Sequence, residues 1–346
     1  MSESASTSPR PPRRPRYRGK NPRRFDEKYK ERDPQRYAGT IEKVLASGKT
    51  PAGTHRPIMV AEILEILAPQ SGRIAVDCTL GYGGHAQEIL ARLLPDGHLL
   101  GLDADPIELP RTEARLRSLG YGPEKFTAHR SNFAGLPRIL AQEGLPGADL
   151  ILADLGVSSM QIDDPSRGFS MKHSGSLDMR MNPAHGQSAA AFLRATDAVR
   201  LARILEENSD EPHAELLAAA LAGKSFATTL SLASAIRAAL SRSTDDAVEL
   251  SVRRVFQALR IAVNDEFSSL DSFLRQRPSC LNPGGRVAVL TFHSGEDRRV
   301  KKSFAAGRRS GLYSEITDEV IRPSVAERND NPRSSSAKLR WSRRSR

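Results

Sequence analysis

Residues 74–103 constrain the fold more than any other stretch of the chain. An apolar run, Ile74-Ala75-Val76, ends on Asp77 and passes into Cys-Thr-Leu-Gly81-Tyr-Gly83-Gly84-His85. A helical pattern follows from Ala86, and a second apolar run, His98 to Leu102, ends on Asp103. Strand, glycine turn, helix, strand and acid, in that order, is how an α/β sheet holds an adenosine-containing cofactor. The glycines let the backbone approach a ligand that a side chain would block. The carboxylate after the second strand accepts hydrogen bonds from ribose hydroxyls.

The spacing Gly81-x-Gly83-x-x-Ala86 also fits the dinucleotide fingerprint, so an NAD-dependent oxidoreductase is one reading. Asp77 tilts towards another. It closes the first strand before the glycines, where methyltransferases often carry an acid that receives a cationic amino-acid group.

Further along, a helix is predicted over 106–119 and a third strand near 126–129, leading to Ser131-Asn132-Phe133. Ala148 to Asp154 reads as a buried strand ending on an acid. Strands alternating with helices predict a doubly wound, mostly parallel α/β sheet with ligands at the carboxyl ends of its strands. Asp77, Asp103, Asn132-Phe133 and Asp154 all fall on that rim. Residues 188–248 change character. They are rich in Ala and Leu, with helices expected over 198–206, 213–221 and 231–241 and no strong strand. The reading is a helical domain inserted between two parts of a sheet domain, 49–187 and 249–346. A helix over 252–276 and a strand over 285–292 resume the alternation.

Net charge is +11 over 346 residues, which favours a polyanionic partner, nucleic acid ahead of an anionic membrane. It also keeps a non-catalytic basic RNA-binding protein in view. The two cysteines, Cys78 and Cys280, lie far apart in sequence, so no disulfide framework or zinc site is expected and a reducing, cytoplasmic setting fits. No apolar run nears the roughly 18 residues of a membrane span. Residues 1–48, rich in Arg and Pro, cannot bury enough apolar surface to offset ordering entropy. They read as a mobile basic arm, a solubilising tail or an RNA-ordering segment; their Ser and Arg content also suits a transit peptide. Monomer and homodimer are both open.

Three further blocks carry chemistry. The loop Asp154-Leu-Gly-Val-Ser158-Ser159-Met-Gln161, continuing through Arg167 to Arg180, directly follows a strand, where loops carry function. Within it Arg167 and Asp178 are expected to pair, and Met179 and Met181 to pack. The helix 255–267 places Phe256, Leu259, Val263 and Phe267 on one stripe and Gln257, Arg260 and Asn264 on another. The polar stripe is either a nucleotide-holding face or a solvated one. Finally, a strand delivers His293 and Ser294 to the rim. The block lacks a Gly-x-Ser-x-Gly elbow, so a hydrolase triad is weakly supported.

The order and content of these blocks resemble the bacterial ribosomal RNA small-subunit methyltransferase H family, also known as MraW. The matching runs are 55–62, 77–85, 101–106, 154–161, 167–170, 177–181 and 256–266. Phe292-His-Ser294, Glu296-Asp-Arg298, Asn331-Pro-Arg333 and Ser336 to Arg340 also match. The resemblance implies a class I S-adenosylmethionine-dependent fold with a helical substrate-recognition insert. It implies methylation of the exocyclic N4 of a cytidine in 16S rRNA of the small subunit. It also implies cofactor contacts at Gly83, Gly84, His85, Asp103, Phe133, Asp154 and Gln161, and no metal. Departures are Gly295 and Ser335, the Glu206 to Pro212 stretch, and a basic arm that looks additional. An exocyclic amine is a poor nucleophile, so an acceptor must take hydrogen bonds from N4–H and aim the lone pair. Asp154, with Ser158 or Ser159, is the expected catalytic group. Arg260, Asn264 and His293 are the expected substrate contacts.

Overall fold

Seven strands form one sheet in the computed structural model, which describes residues 57–346. The basic segment 1–48 lies outside the described residues. The strands are β1 (Ile74–Asp77), β2 (His98–Asp103), β3 (Phe126–Arg130), β4 (Ala148–Asp154), β5 (Leu281–Thr291), β6 (Tyr313–Ile316) and β7 (Lys338–Arg344). Their order is β3-β2-β1-β4-β5-β7-β6. The first five run parallel, and β7 is antiparallel to both of its neighbours. Strand order reverses between β1 and β4, and a crevice opens at such a switch point. Asp77, Asp103 and Asp154 are the last residues of β1, β2 and β4, so the topology alone gathers three acids there.

The alternation along each strand explains the layers. Val76, Leu100, Leu102, Ile151, Ala153, Val287 and Val289 point to one side. Ala75, Leu99, Leu150, Leu152, Ala288 and Leu290 point to the other. Three helices, α1 (Val60–Leu67), α2 (Gly84–Leu93) and α3 (Glu108–Ser118), cover the second side through Ile63, Leu67, Ile89, Leu93 and Leu116. Helix α4 (Leu136–Gln142) covers the first through Ile139 and Leu140.

After β4 comes the short helix α5 (Ser159–Asp163), then α6 (Ala189–Ala195), α7 (Ala198–Ser209), α8 (Ala214–Leu221), α9 (Thr229–Ala239) and α10 (Asp245–Asn264). These helices share a hydrophobic cluster of their own, from Phe169 and Leu193 through Leu217 and Ile236 to Leu259, containing no strand residue. Ser188, Asp197 and Thr228 cap α6, α7 and α9 by accepting from backbone N–H groups. Helix α11 (Glu266–Cys280) returns the chain to the sheet, α12 (Ser294–Arg309) follows β5, and α13 (Val325–Asp330) precedes β7.

Two expectations need correction. The single helix over 252–276 is two helices, broken where Asp265 adopts φ 50°. An acid tolerates that left-handed turn better than most residues, and the hydrophobic pattern runs through the break unchanged. The tail from Tyr313, whose sequence ends in a basic run, holds β6 and β7. In Lys338-Leu-Arg-Trp-Ser-Arg-Arg344 the charge hides a strand: Arg340 is buried and bonded to Asp297 at 2.6 Å. Cys78 and Cys280 are both free and buried. No helix among the described residues is long and apolar enough to cross a membrane.

Candidate active site

The glycine turn ties three strand ends together. Thr79 is its knot. Its N–H donates to Asp77 Oδ1 at 3.1 Å, and its hydroxyl oxygen accepts from the Asp154 N–H at 2.7 Å. Gly81 N–H donates to Asp103 Oδ2 at 2.7 Å. Gly83 adopts φ 74°, which favours glycine, and α2 begins at Gly84, two residues ahead of its predicted start. A Cβ on Gly84 would collide with the Pro57 ring, so this glycine lets the segment before α1 close over the turn. Through that closure His85 Nε2 reaches the Ile58 carbonyl at 2.9 Å. The first N–H groups of α2 lack intrahelical partners and face the crevice.

The rim is electrostatically unbalanced. Burial pushes the Asp77 carboxyl up to about 7, only partly opposed by its bonds to Thr79, and the Asp103 charge pushes it further up. Burial also raises Asp103 to about 6, against the N–H groups of Asp105 and Gly81 that it accepts. Asp154 is pushed to about 8 by burial and by the nearby charges of Asp77 and Glu296. Its side chain keeps 28% exposure, yet Oδ1 is buried and makes no hydrogen bond. Three acids with no cation facing them among the described residues, one bearing an orphaned acceptor, suit a ligand with positive charge and N–H donors. The sulfonium and ammonium of S-adenosylmethionine supply both, so these residues fit that cofactor. Phe133 opens a short turn at the end of β3 and packs edge-on against Phe273 at 5.7 Å, a half-buried ring at the crevice wall.

A second layer fixes the loop after β4. Ser158 caps α5: its Oγ accepts from Gln161 N–H at 3.2 Å, while Gln161 Oε1 accepts from Ser158 N–H at 2.9 Å. The Gln161 amide then donates to Asp105 Oδ2 at 2.8 Å. Arg167 does not pair with Asp178. It donates to Asp105 at 2.8 Å and to the Met181 carbonyl at 2.8 Å, while Asp178 pairs with Arg180. Removing one partner of such a buried pair costs about 3–5 kcal/mol. Asp105 thus joins the loops after β2 and β4. It escaped sequence reading, although its place two residues after Asp103 and before Pro106 was a signal.

The polar stripe on α10 is not a solvated face, because each of its members is bonded within the protein. Gln257 donates to the Asn208 carbonyl, Arg260 pairs with Glu266 at 2.8 and 2.9 Å, and Asn264 holds Met179 O and Met181 N–H at 2.8 and 2.7 Å. His293 lies beside Phe267, with Nε2 3.2 Å from Glu296 Oε1. That is ion-pair distance, but neither ring nitrogen is aimed into a hydrogen bond. Glu296, also missed by sequence reading, is buried and held down by His293, although burial opposes this; it accepts from Phe292 N–H at 2.9 Å. Among the described residues no group of three or more His, Cys, Asp or Glu is placed to hold a metal.

Comparison with known proteins identifies the family. The model of the MraW methylase family matches residues 52–345. Ribosomal RNA small subunit methyltransferase H 1 of Lachnoclostridium phytofermentans is 51% identical, over 95% of this chain and 92% of its own length. Ribosomal RNA small subunit methyltransferase H 2 of Alkaliphilus metalliredigens is 50% identical, over 95% and 96%. A match over 95% leaves one residue in twenty outside it, far fewer than 48, so the basic segment is partly shared and is not an addition peculiar to this chain. The chain belongs to the MraW methylase family, S-adenosylmethionine-dependent methyltransferases on a Rossmann-like class I α/β fold.

Proposed function

We propose that the protein methylates the exocyclic N4 of a cytidine in 16S rRNA of the small ribosomal subunit, in the cytoplasm. The relatives' names support the rRNA substrate. The observation that carries the amine is the orphaned, buried Oδ1 of Asp154 at the end of β4. A buried acceptor without a partner is costly until an N–H arrives, and an amino group of a splayed-out base supplies one. Family membership removes the oxidoreductase and the non-catalytic RNA-binding readings.

Bound S-adenosylmethionine supplies the electrophilic methyl group. Gly83, Gly84 and the first turn of α2 border it, Asp103 takes its ribose, Phe133 walls its base, and Gln161 steadies the loop beside it. His85 and Asp154 border its charged end. Asp154 accepts from the target amine and Ser158, in the loop that follows it, has a hydroxyl hydrogen to give; Ser159 is carried with it on sequence position. His293 meets the substrate from β5. Arg260 and Asn264 act through what they hold, the α10–α11 corner and loop 177–181. The helices of 188–248 form the substrate-recognition domain inserted between sheet segments 49–187 and 249–346.

The test is transfer of labelled methyl groups to small subunits lacking the modification, followed by nucleoside analysis. N4-methylcytidine is expected. Label on another atom or base overturns the N4 assignment, and label only on large-subunit RNA overturns the substrate.

A further inference from the structure

Accepting the amine on Oδ1 gives the second oxygen of Asp154 no role, and His85 faces it. Nδ1 of His85 lies 3.7 Å from Asp154 Oδ2. The ring's other nitrogen, Nε2, is 2.9 Å from the carbonyl oxygen of Ile58. A carbonyl only accepts, so Nε2 must carry a hydrogen. That fixes the neutral tautomer: Nδ1 carries a bare lone pair and stands at ion-pair distance from Oδ2, short of a formed hydrogen bond. A lone pair and an ionised oxygen facing each other repel, so the pair is satisfied by one proton between them.

We propose that His85 is a positioning residue for Asp154, its Nδ1 sharing the proton on the Oδ2 side so that Oδ1 meets the substrate amine as an ionised acceptor. This rests on the amine-methylation reading. In the transfer, the amine nitrogen bonds the methyl carbon with its lone pair, and the carbon–sulfur bond breaks with its electrons on sulfur. The N–H proton passes to Oδ1 and is lost to water after product release. The proton shared with His85 is not consumed.

The surroundings favour that shared proton. Charged groups facing the pair are Asp77 from β1, Glu296 from α12 and Glu88 on α2 itself, with Asp103 at the neighbouring strand end. Among the described residues all are acids. The segment closing over α2 brings the Ile58 carbonyl to the ring. Burial lowers His85, so the imidazole is neutral when Asp154 is protonated.

Two measurements test the pair. Nitrogen-15 NMR of His85 in the full chain, without cofactor or RNA, should show Nε2 protonated, with a titration step that moves in Asp154→Asn. A hydrogen on Nδ1 in the neutral ring, or a His85 signal indifferent to Asp154→Asn, overturns the proposal whatever the enzyme's substrate proves to be. The second measurement is the pH profile of kcat at saturating S-adenosylmethionine for His85→Gln. Its amide nitrogen can still donate to the Ile58 carbonyl, but Nδ1 is gone. About a tenfold lower kcat is expected, with the acid limb shifted to higher pH because Asp154 keeps its proton longer. An unchanged acid limb with only a raised KM for the cofactor makes His85 a cofactor contact and overturns the proposal. If unaltered protein methylates no small-subunit RNA, the substrate reading fails while the NMR result stands.

Discussion

Two places in this molecule bury charge without its opposite, and they differ in what completes them. At the rim, Asp77, Asp103 and Asp154 crowd together with no cation facing them among the described residues. On the far part of the sheet, Arg277 is 1% exposed and pairs with no carboxylate among the described residues. It donates to the Tyr313 hydroxyl at 2.7 Å and lies 4.4 Å from the centre of the Phe304 ring. Its Nη1 has no partner. Burial lowers its pKa, and aromatic faces and a phenol offset part of the loss. The arginine is closed in by α11, α12 and β6 and is compensated from within the fold. The acids end on an open crevice, and their compensation comes from a ligand. Removing charge should therefore cost function at the rim, and at Arg277 some stability but no cofactor affinity.

The largest effect is expected from Asp154→Asn. The amide offers N4–H a weaker, neutral acceptor and turns a donor into the site. Turnover at saturating S-adenosylmethionine should fall about a hundredfold or more, as for loss of a positioned proton acceptor. The melting temperature of the ligand-free protein should rise, because one member of the acid cluster is gone. Near-normal turnover would reduce Asp154 to a cofactor contact and shift the search to His293.

Next comes Asp103→Ala. Two backbone N–H groups, from Gly81 and Asp105, already hold this carboxylate in place, so its remaining lone pairs are aimed rather than wandering. Removing one partner of a charged hydrogen bond costs about 1.5–3 kcal/mol, or roughly ten- to a hundredfold in cofactor affinity. Calorimetry with S-adenosylhomocysteine reads this directly. Unchanged affinity in a folded variant sinks the ribose assignment.

At Arg277 the comparison is sharpened by a volume-conserving change. Arg277→Met removes an incompletely bonded charge but strands the Tyr313 hydroxyl, so a loss of about 1–2 kcal/mol is expected in urea unfolding. Adding Tyr313→Phe should recover it. Cofactor affinity should stay as it was in both. A double variant that remains well below the parent would mean that the guanidinium does more than fill space.

These contrasts also show what a sequence can and cannot reveal. The three acids were legible because each ends an apolar strand run, and strand ends in an alternating fold share a rim. The glycine turn was legible because only close backbone approach calls for so many glycines. The second layer was not. Gln161 meets Asp105 across 56 residues of sequence, Arg167 meets it across 62, and Asn264 meets Met179 across 85. Local reasoning paired Arg167 with Asp178 by nearness, whereas tertiary packing brought a buried acid to the arginine and left Asp178 to Arg180. Polar stripes carry no label saying whether they face solvent, substrate or another loop. The tail strands were hidden for a similar reason: their cations are neutralised by acids distant in sequence, as Arg340 is by Asp297.

The smallest effect is the most diagnostic of the rim. A carboxyl raised on folding binds its proton more tightly in the native state than in the unfolded chain. Between about pH 4, where the unfolded carboxyls ionise, and the raised values of about 6, 7 and 8, the native state holds more protons. Stability then falls as pH rises, the reverse of the usual carboxylate behaviour. Below that window the sign changes, because Asp178 and Asp297, held down by Arg180 and Arg340 although burial opposes this, lose their pairs on protonation. Ligand-free protein should therefore be most stable near the acid end of the window and decline towards pH 8 in urea titrations. A cationic ligand lowers the rim values, so S-adenosylmethionine should flatten the decline and release protons on binding near neutral pH. Calorimetry in buffers of different ionisation enthalpy counts those protons. A flat ligand-free profile with no proton release would mean that the three acids are already compensated, and the contrast with Arg277 would disappear.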